Sequence, residues 1–380
     1  MRTSDAGPPS ALEGLRVLDL TMYLPGPYAS LMFADLGADV IQIEPPGGDP
    51  SRTIDPRVGD DSALHHWVGS NKRSIALDLK SESGTSQFFE LLAGADVVLE
   101  GFTPGVASRL GVDYAACAAV KPDIVYCSIS GAGQRPGSCA APGHDINYMA
   151  RAGFLDQVRD AQGTPVAVGP AVADIAAGLH AAVGVLAAVR HRDAGGGGQL
   201  VDVSILGAAL AMAAPQLVKA LAPVPQPEER DHNRGADPAY RVYRTQDGRH
   251  LAIGAFEEKF WVRLCTILGK PHLIARRATH PDDVAAELCG LFATCSLSHW
   301  DALLGPADVC YAPVNLASHV PSDALVAERG DFAMVGTPGR RQTPQLQNPI
   351  HLSATPTLAR QPAPPLREGG RVVGWIESKR

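Results

Sequence analysis

From Leu15 to Ile129, short apolar runs alternate with segments of helical period, and that alternation restricts the fold more than any single motif. Leu15–Leu20, Asp39–Glu44, Arg73–Asp78, Asp96–Glu100 and Ile124–Ile129 read as strands. Tyr28–Leu36, Ser81–Leu92 and Tyr114–Val120 read as helices between them. Pro25-Gly-Pro27 breaks the chain after the first strand, Gly37 supplies a helix stop, and Pro45-Pro46 ends the second strand. The strands are largely apolar, which suits burial on both faces. Strands joined through helices in this way form a parallel sheet with right-handed crossovers, and its binding crevice lies at the carboxyl ends of the strands. The polar segment around His144 follows the strand Ile124–Ile129 and so falls on that side. Asp174 then opens a long apolar helix, Ala173–Val189.

The composition shifts between Gln216 and Pro238, where Pro223, Pro225 and Pro227 precede Glu228-Glu-Arg-Asp231. This reads as a linker. Beyond it, Tyr240–Tyr243 and His250–Ile253 are strands flanking the turn Gln246-Asp-Gly248. Helices follow at Glu258–Leu268 and Asp283–Thr294, and a further strand at Val309–Tyr311. Pro356–Pro365 is Pro-rich and reads as an extended tail lying on the surface. The expected organisation is an α/β protein with a large domain over 1–215, a linker over 216–238, a small αβ domain over 239–318, and a return segment over 319–380 that completes the large domain. No internal repeat is visible.

A chain of 380 residues with 45% hydrophobic and 19% charged residues folds rather than remaining disordered. Its net charge is −7 and its basic residues occur in short clusters such as Arg340-Arg341, so no nucleic-acid partner is expected. Seven cysteines, an odd number with no Cys-x-x-Cys, read as a reduced protein without a disulfide framework. The first ten residues carry no apolar core, and a cytoplasmic location is expected. Ala173–Val189 imitates a membrane span, but it carries Asp174 and His180 and consists mainly of Ala and Gly, so a core helix is expected and no membrane partner. No metal-ligand spacing is present and no metal is expected. Gly131-Ala-Gly133-Gln-Arg-Pro136-Gly137 departs from a dinucleotide fingerprint at Pro136, which argues against nicotinamide or flavin. The Gly195–Gly198 run reads as a turn between helix and strand. No Gly-x-Ser-x-Gly elbow is present, which disfavours a serine hydrolase.

The stretch that carries chemistry is Gly143-His-Asp-Ile-Asn-Tyr148, with Asp174 after it. An imidazole and a carboxylate so placed could face each other across a small acyl group. A loop histidine and a helix cap are the plainer alternative. Asn71-Lys-Arg73, with Arg52 upstream and Arg109 downstream, offers cations that could bind phosphates or simply form a solvated cluster.

Leu12-Glu-Gly-Leu-Arg-Val-Leu-Asp19, Asp35-Leu-Gly-Ala-Asp-Val40, Asn71-Lys-Arg-Ser-Ile75, Gly105 with Arg109-Leu-Gly111, and Gly198-Gln-Leu-Val-Asp-Val-Ser204 occur in one order. Together they resemble the family III CoA-transferase (CaiB/BaiF) superfamily over nearly the whole chain. The Gly143–Tyr148 motif is similar to the α-methylacyl-CoA racemase branch. That resemblance implies a large Rossmann-like parallel-sheet domain plus a smaller αβ domain in an intertwined homodimer. It implies an acyl-CoA substrate, with coenzyme A as carrier and no permanently bound cofactor. His144 and Asp174 map onto the acid/base pair, and Glu257 onto the glutamate of Gly254-Ala-Phe-Glu257-Glu-Lys-Phe260. The implied contacts to substrate and CoA are Asn71, Lys72, Arg73, Arg109, Gly143, Asp145, Asn147 and Tyr148. Two departures stand out: Ile175-Ala-Ala-Gly178 replaces a Gly-rich stretch, and Gln42-Ile-Glu-Pro-Pro46 lacks an arginine found in several racemases.

The reaction first implied is inversion of the α-carbon of a 2-methylacyl-CoA through an enolate. His144, whose imidazole can act as acid or base, and Asp174 would exchange protons on opposite faces. The N–H of Asp145 would support the oxyanion and Glu257 would orient His144. The alternative is CoA transfer between carboxylic acids through a mixed anhydride on Asp174. A non-catalytic CoA-binding homologue is a third class.

Overall fold

The computed structural model describes residues 9–59, 61–135, 142–160, 162–223, 235–336, 342–367 and 375. Residues 224–234 of the 216–238 linker, Pro136-Gly137, Cys139, the Arg340-Arg341 pair and the chain start through Pro8 lie outside the described residues. Two compact units emerge. The first comprises the chain up to Asp156, Pro165–Leu217, and Leu325 onward; the second comprises Gln157–Thr164 and Val218–Ala324.

In the first unit the strands are β1 Arg16–Leu20, β2 Asp39–Glu44, the short hairpin β3 Arg57–Val58 with β4 Asp61–Ser62, then β5 Arg73–Ala76, β6 Val97–Glu100, β7 Val125–Ser130 and β8 Gln199–Ser204. Six of them form a parallel sheet in the order β5-β2-β1-β6-β7-β8. The helices are α1 Pro25–Asp35, α2 Ala63–Val68, α3 Glu82–Leu92, α4 Val106–Leu110, α5 Tyr114–Val120, α6 Asp145–Arg151, α7 Val172–Asp193 and α8 Ile205–Ala220. Strand side chains alternate between two cores. Val17, Val97, Leu99, Val125 and Cys127 pack with Phe33 of α1 and Val185 of α7. Leu18, Val98 and Tyr126 pack on the other face with Phe88, Leu91 and Leu92 of α3 and Cys117 of α5. Fully burying one such Phe or Leu is worth about 1.5–3 kcal/mol.

α7 is long and apolar enough to cross a membrane by length and composition. In this fold it packs against α1, β7 and β8. The approach to α1 is close because residue 178 is glycine: a Cβ there would stand 2.6 Å from the carbonyl oxygen of Pro25. The four-glycine run turns the chain from α7 into β8, and at Gly198 a Cβ would fall 2.3 Å from the carbonyl oxygen of Ile124.

The sequence reading differs from the structure at several ends. α8 continues through Pro215 to Ala220, past the expected linker start, because a proline inside a helix bends it without always ending it. α6 was not expected as a helix. The Pro-rich tail is tied down rather than merely laid on the surface. Arg360 pairs with Asp35 at 2.9 Å, the N–H of Gln361 donates to Asn71 Oδ1 at 2.7 Å, and Ala76 N donates to the carbonyl of Arg367 at 3.1 Å.

The second unit has an antiparallel sheet in the order β11-β10-β9, built from β9 Tyr240–Arg244, β10 His250–Gly254 and β11 Tyr311–Pro313. Helices α9 Glu258–Ile267, α10 Leu273–Thr279, α11 Pro281–Phe292 and α12 Leu297–Leu304 cover it. Tyr243, Trp261, Leu264, Leu288, Phe292 and Trp300 form its core. α10 and α12, of seven and eight residues, were not expected from the sequence, being too short to show a helical period. β11 starts two residues later than expected, since the N–H groups of Val309 and Tyr311 are taken by local turns, donating to the carbonyls of Ala307 and Val309 at 2.8 Å each. In the first unit's C-terminal part, α13 Ala324–Arg329 precedes the ribbon of β12 Phe332–Val335 and β13 Thr343–Leu346.

Candidate active site

The chain runs outward from β1 through β2 to β5, then returns to β6 on the other side of β1. A parallel sheet opens a crevice at such a reversal. Here the crevice is a cavity of about 560 Å³, walled by Thr21–Gly26 after β1, Gly101–Pro104 after β6 and Ile129–Ala132 at the end of β7, with Gly143, His144, Tyr148, Asp174 and Ile205.

His144 is exposed and stands at the cap of α6, where its N–H donates to Asn147 Oδ1 at 3.0 Å and its carbonyl accepts from Asn147 N at 2.9 Å. Asn147 therefore fixes the backbone that presents the imidazole. Asp174 is the third residue of α7, and its N–H donates to Asp145 Oδ1 at 3.0 Å. Burial raises its carboxyl pKa to about 6, the Asp145 charge adds to the rise, and His144 opposes it. Asp174 is thus mostly ionised at neutral pH yet more basic than an aspartate in water.

Tyr148 stands against Gly131 and Gly143. A Cβ on Gly131 would fall 2.1 Å from its hydroxyl oxygen, and one on Gly143 would fall 3.0 Å from its ring. Both glycines let the ring pack flat against the backbone on that side of the cavity. On the opposite side, Tyr23 adopts a left-handed φ of 66° and its N–H donates to Asp49 Oδ1 at 3.3 Å. A non-glycine residue in that region stores strain that its surroundings must hold.

Under this wall lies a buried charge cluster. Asp19 accepts from Thr21 N at 3.0 Å and from the hydroxyls of Thr21 and Ser30. Lys72 Nζ reaches Asp19 at 3.4 Å, Ser30 Oγ at 2.6 Å and the carbonyl of Pro27 at 2.9 Å. The lysine therefore ties the end of β1 to the start of α1.

This corrects one expectation. Asn71, Lys72 and Arg73 do not line the cavity. The Lys72 side chain is 0% exposed and its charge answers Asp19 rather than a phosphate. Burial depresses its pKa, and Asp19 counteracts the depression. Arg73 pairs with Asp39 through two nitrogens at 2.6 and 2.9 Å, and Asn71 donates to Asp35 at 2.9 Å. Arg52 is likewise committed, to Glu44 at 2.7 Å through two nitrogens. Arg109 is exposed on α4, one turn beyond the Gly101–Pro104 wall, where it shares a surface hollow with Lys80 and Ser81. Glu257 belongs to the second unit, where it is the exposed cap residue of α9.

Sequence reasoning gathered Gly143, His144, Tyr148 and Asp174, and the structure brings all four to one cavity. It missed the Thr21–Gly26 wall, reading Pro25-Gly-Pro27 only as a break. The available signal was Gly26, at which a Cβ would overlap Thr21 at 2.2 Å.

The fold is shared with known proteins. The model of CoA-transferase family III matches residues 12–369. Succinyl-CoA:glutarate CoA-transferase of Mus musculus is 32% identical over 337 residues, covering 86% of this chain and 77% of that protein. Alpha-methylacyl-CoA racemase of Homo sapiens is 31% identical over 329 residues, covering 85% and 82%. The crystal structure of a CAIB/BAIF family protein from Brucella suis superposes with a TM-score of 0.83 at 29% identity, covering 94% of this chain and 97% of that one. With a six-stranded parallel sheet, a second antiparallel unit and an aspartate at the sheet's switch point, this chain belongs to CoA-transferase family III.

Proposed function

We propose that the protein moves coenzyme A between carboxylic acids, with Asp174 as the nucleophile. The observation that carries this reading is a partly desolvated, basic carboxylate lining the cavity at the carboxyl ends of the strands. Asp174 would attack the thioester carbonyl of the donor, releasing the CoA thiolate and forming an acyl-aspartyl anhydride. The thiolate would then attack the aspartyl carbonyl, releasing the donor as a free acid and leaving an aspartyl thioester. An acceptor carboxylate reverses the two steps and leaves with CoA. No net proton transfer is required. The transferase relatives support this reading over the inversion that the Gly143–Tyr148 motif first suggested.

One observation keeps a second reading in play. His144 and Asp174 line the same cavity, as 1,1-proton transfer needs, and a carboxyl with a pKa of about 6 can serve as acid or base. The two reactions separate cleanly in heavy water. With a 2-methylacyl-CoA and no acceptor acid, the transferase leaves the α-carbon unlabelled, and adding an acceptor yields a new thioester. Mass spectrometry showing α-deuterium and mixed epimers without any acceptor would reverse the assignment.

In this reading the phosphates of CoA meet Arg109, whose exposed guanidinium lies beyond the cavity wall beside Lys80. Arg109→Gln is expected to raise the CoA dissociation constant about tenfold, as loss of a charge-assisted bond of roughly 1.5 kcal/mol requires. Calorimetric titration with CoA measures it, and an unchanged constant would assign the phosphates to other cations.

A further inference from the structure

α7 starts without a cap of its own. Its N-cap residue is Ala171, which has no side-chain acceptor for the first amides of a 22-residue helix. One acceptor comes instead from another helix: Asp145 Oδ1 takes the N–H of Asp174 at 3.0 Å. Asp145 is the first residue of α6 and directly follows His144. A single bond therefore joins the backbone carrying the carboxylate to the backbone carrying the imidazole, while bringing two carboxylates near each other.

We propose that Asp145 is a positioning residue of this site: its carboxylate caps α7 from α6, fixes Asp174 against the His144 segment, and presents Asp174 with a like charge. The proposal rests on the reading of Asp174 as the reacting group. It deepens that reading, because the side chain of Asp145 acts only through Asp174.

The surroundings leave this role to Asp145. Of the elements packed against α7, α6 brings Asp145, Arg151 and, at its cap, His144. α1 brings Tyr28, whose ring lies near Gly178. β7 brings the buried Cys127, and β8 brings the apolar Val201 and Val203. The charges that act on Asp174 are those of Asp145, which raises its pKa, and His144, which lowers it.

Asn and Ala at position 145 separate the two contributions. Asparagine keeps an acceptor oxygen and removes the charge; alanine removes both. The Asp174 carboxyl can be followed by carbon NMR in protein labelled at aspartate side-chain carboxyls, its signal identified by its loss in Asp174→Asn. Its midpoint is expected near 6 in the unaltered protein and lower, toward the ordinary aspartate value, in Asp145→Asn and Asp145→Ala. Turnover of an acyl-CoA should fall about tenfold further in Asp145→Ala than in Asp145→Asn, the loss of one positioning hydrogen bond. An Asp174 midpoint that stays put in Asp145→Asn overturns the proposal, and so does equal turnover in the two variants. If Asp145→Ala does not fold, the titration of Asp145→Asn still decides. Absence of turnover in the unaltered protein would defeat the functional reading, while the NMR arm would still test Asp145.

Discussion

Asp174→Asn is expected to abolish CoA transfer, lowering kcat by about ten-thousand-fold or more, as removal of a nucleophile does elsewhere. The unaltered enzyme incubated with acyl-CoA and hydroxylamine should acquire a hydroxamate at Asp174, found by peptide mass spectrometry, because an aspartyl anhydride or thioester is open to amines. No adduct under turnover, or Asp174→Asn with substantial activity, would sink the nucleophile. The same substitution should leave the protein as stable as before or more so, and the sign follows from the titration. In the folded protein the Asp174 pKa is raised to about 6 from 3.8. The folded state therefore holds this proton more tightly than the unfolded chain. Stability drawn from that group is complete below about 4, declines as pH rises toward 6, and is absent above. Asp174→Asn should flatten this part of the pH–stability curve, by roughly 2–3 kcal/mol at most. Thermal unfolding between pH 4 and 8 tests it: lost activity with retained stability is a chemical defect rather than a folding one.

Lys72→Met should have the largest effect on stability. The Lys72 and Asp19 side chains are both 0% exposed. Removing one partner leaves the other buried and uncompensated, which costs about 3–5 kcal/mol. The carbonyl of Pro27 and the hydroxyl of Ser30 lose a donor as well. The Thr21–Gly26 wall then loses its anchor beneath α1. Urea unfolding followed through tryptophan fluorescence should show the loss, Trp67 and Trp375 both belonging to the first unit. Asp19→Asn combined with Lys72→Met should recover part of it, since no lone charge remains buried. A Lys72→Met protein as stable as the unaltered one would mean that the ion pair contributes nothing net.

The two fates of charged residues mark the boundary between local and long-range information. Sequence singled out the Gly143–Tyr148 stretch and Asp174, and Gly143, His144, Tyr148 and Asp174 meet at one cavity. Their signals are local: a polar break after a strand, and an acid in the first turn of an apolar helix. The run Asn71-Lys-Arg73 looked equally like a phosphate site. Its Lys72 is buried because Asp19, far back in the chain, waits beneath α1, and its Arg73 is paired because Asp39 starts the neighbouring strand. Nothing in the run itself announces those partners. The Asp145 cap was invisible for the same reason, since it joins two helices 29 residues apart. Helix ends such as Ala220 escaped because Pro215 stands inside the helix without ending it.

By itself, the sequence determined the alternation of strands and helices from β1 to β7, the parallel sheet and the side on which a site opens, because hydrophobic period and turn residues act over a few positions. Tertiary structure alone decided which charges face the cavity and which are locked beneath it. A charge is tolerated inside only against a partner, and the partner is chosen by the packing of distant elements.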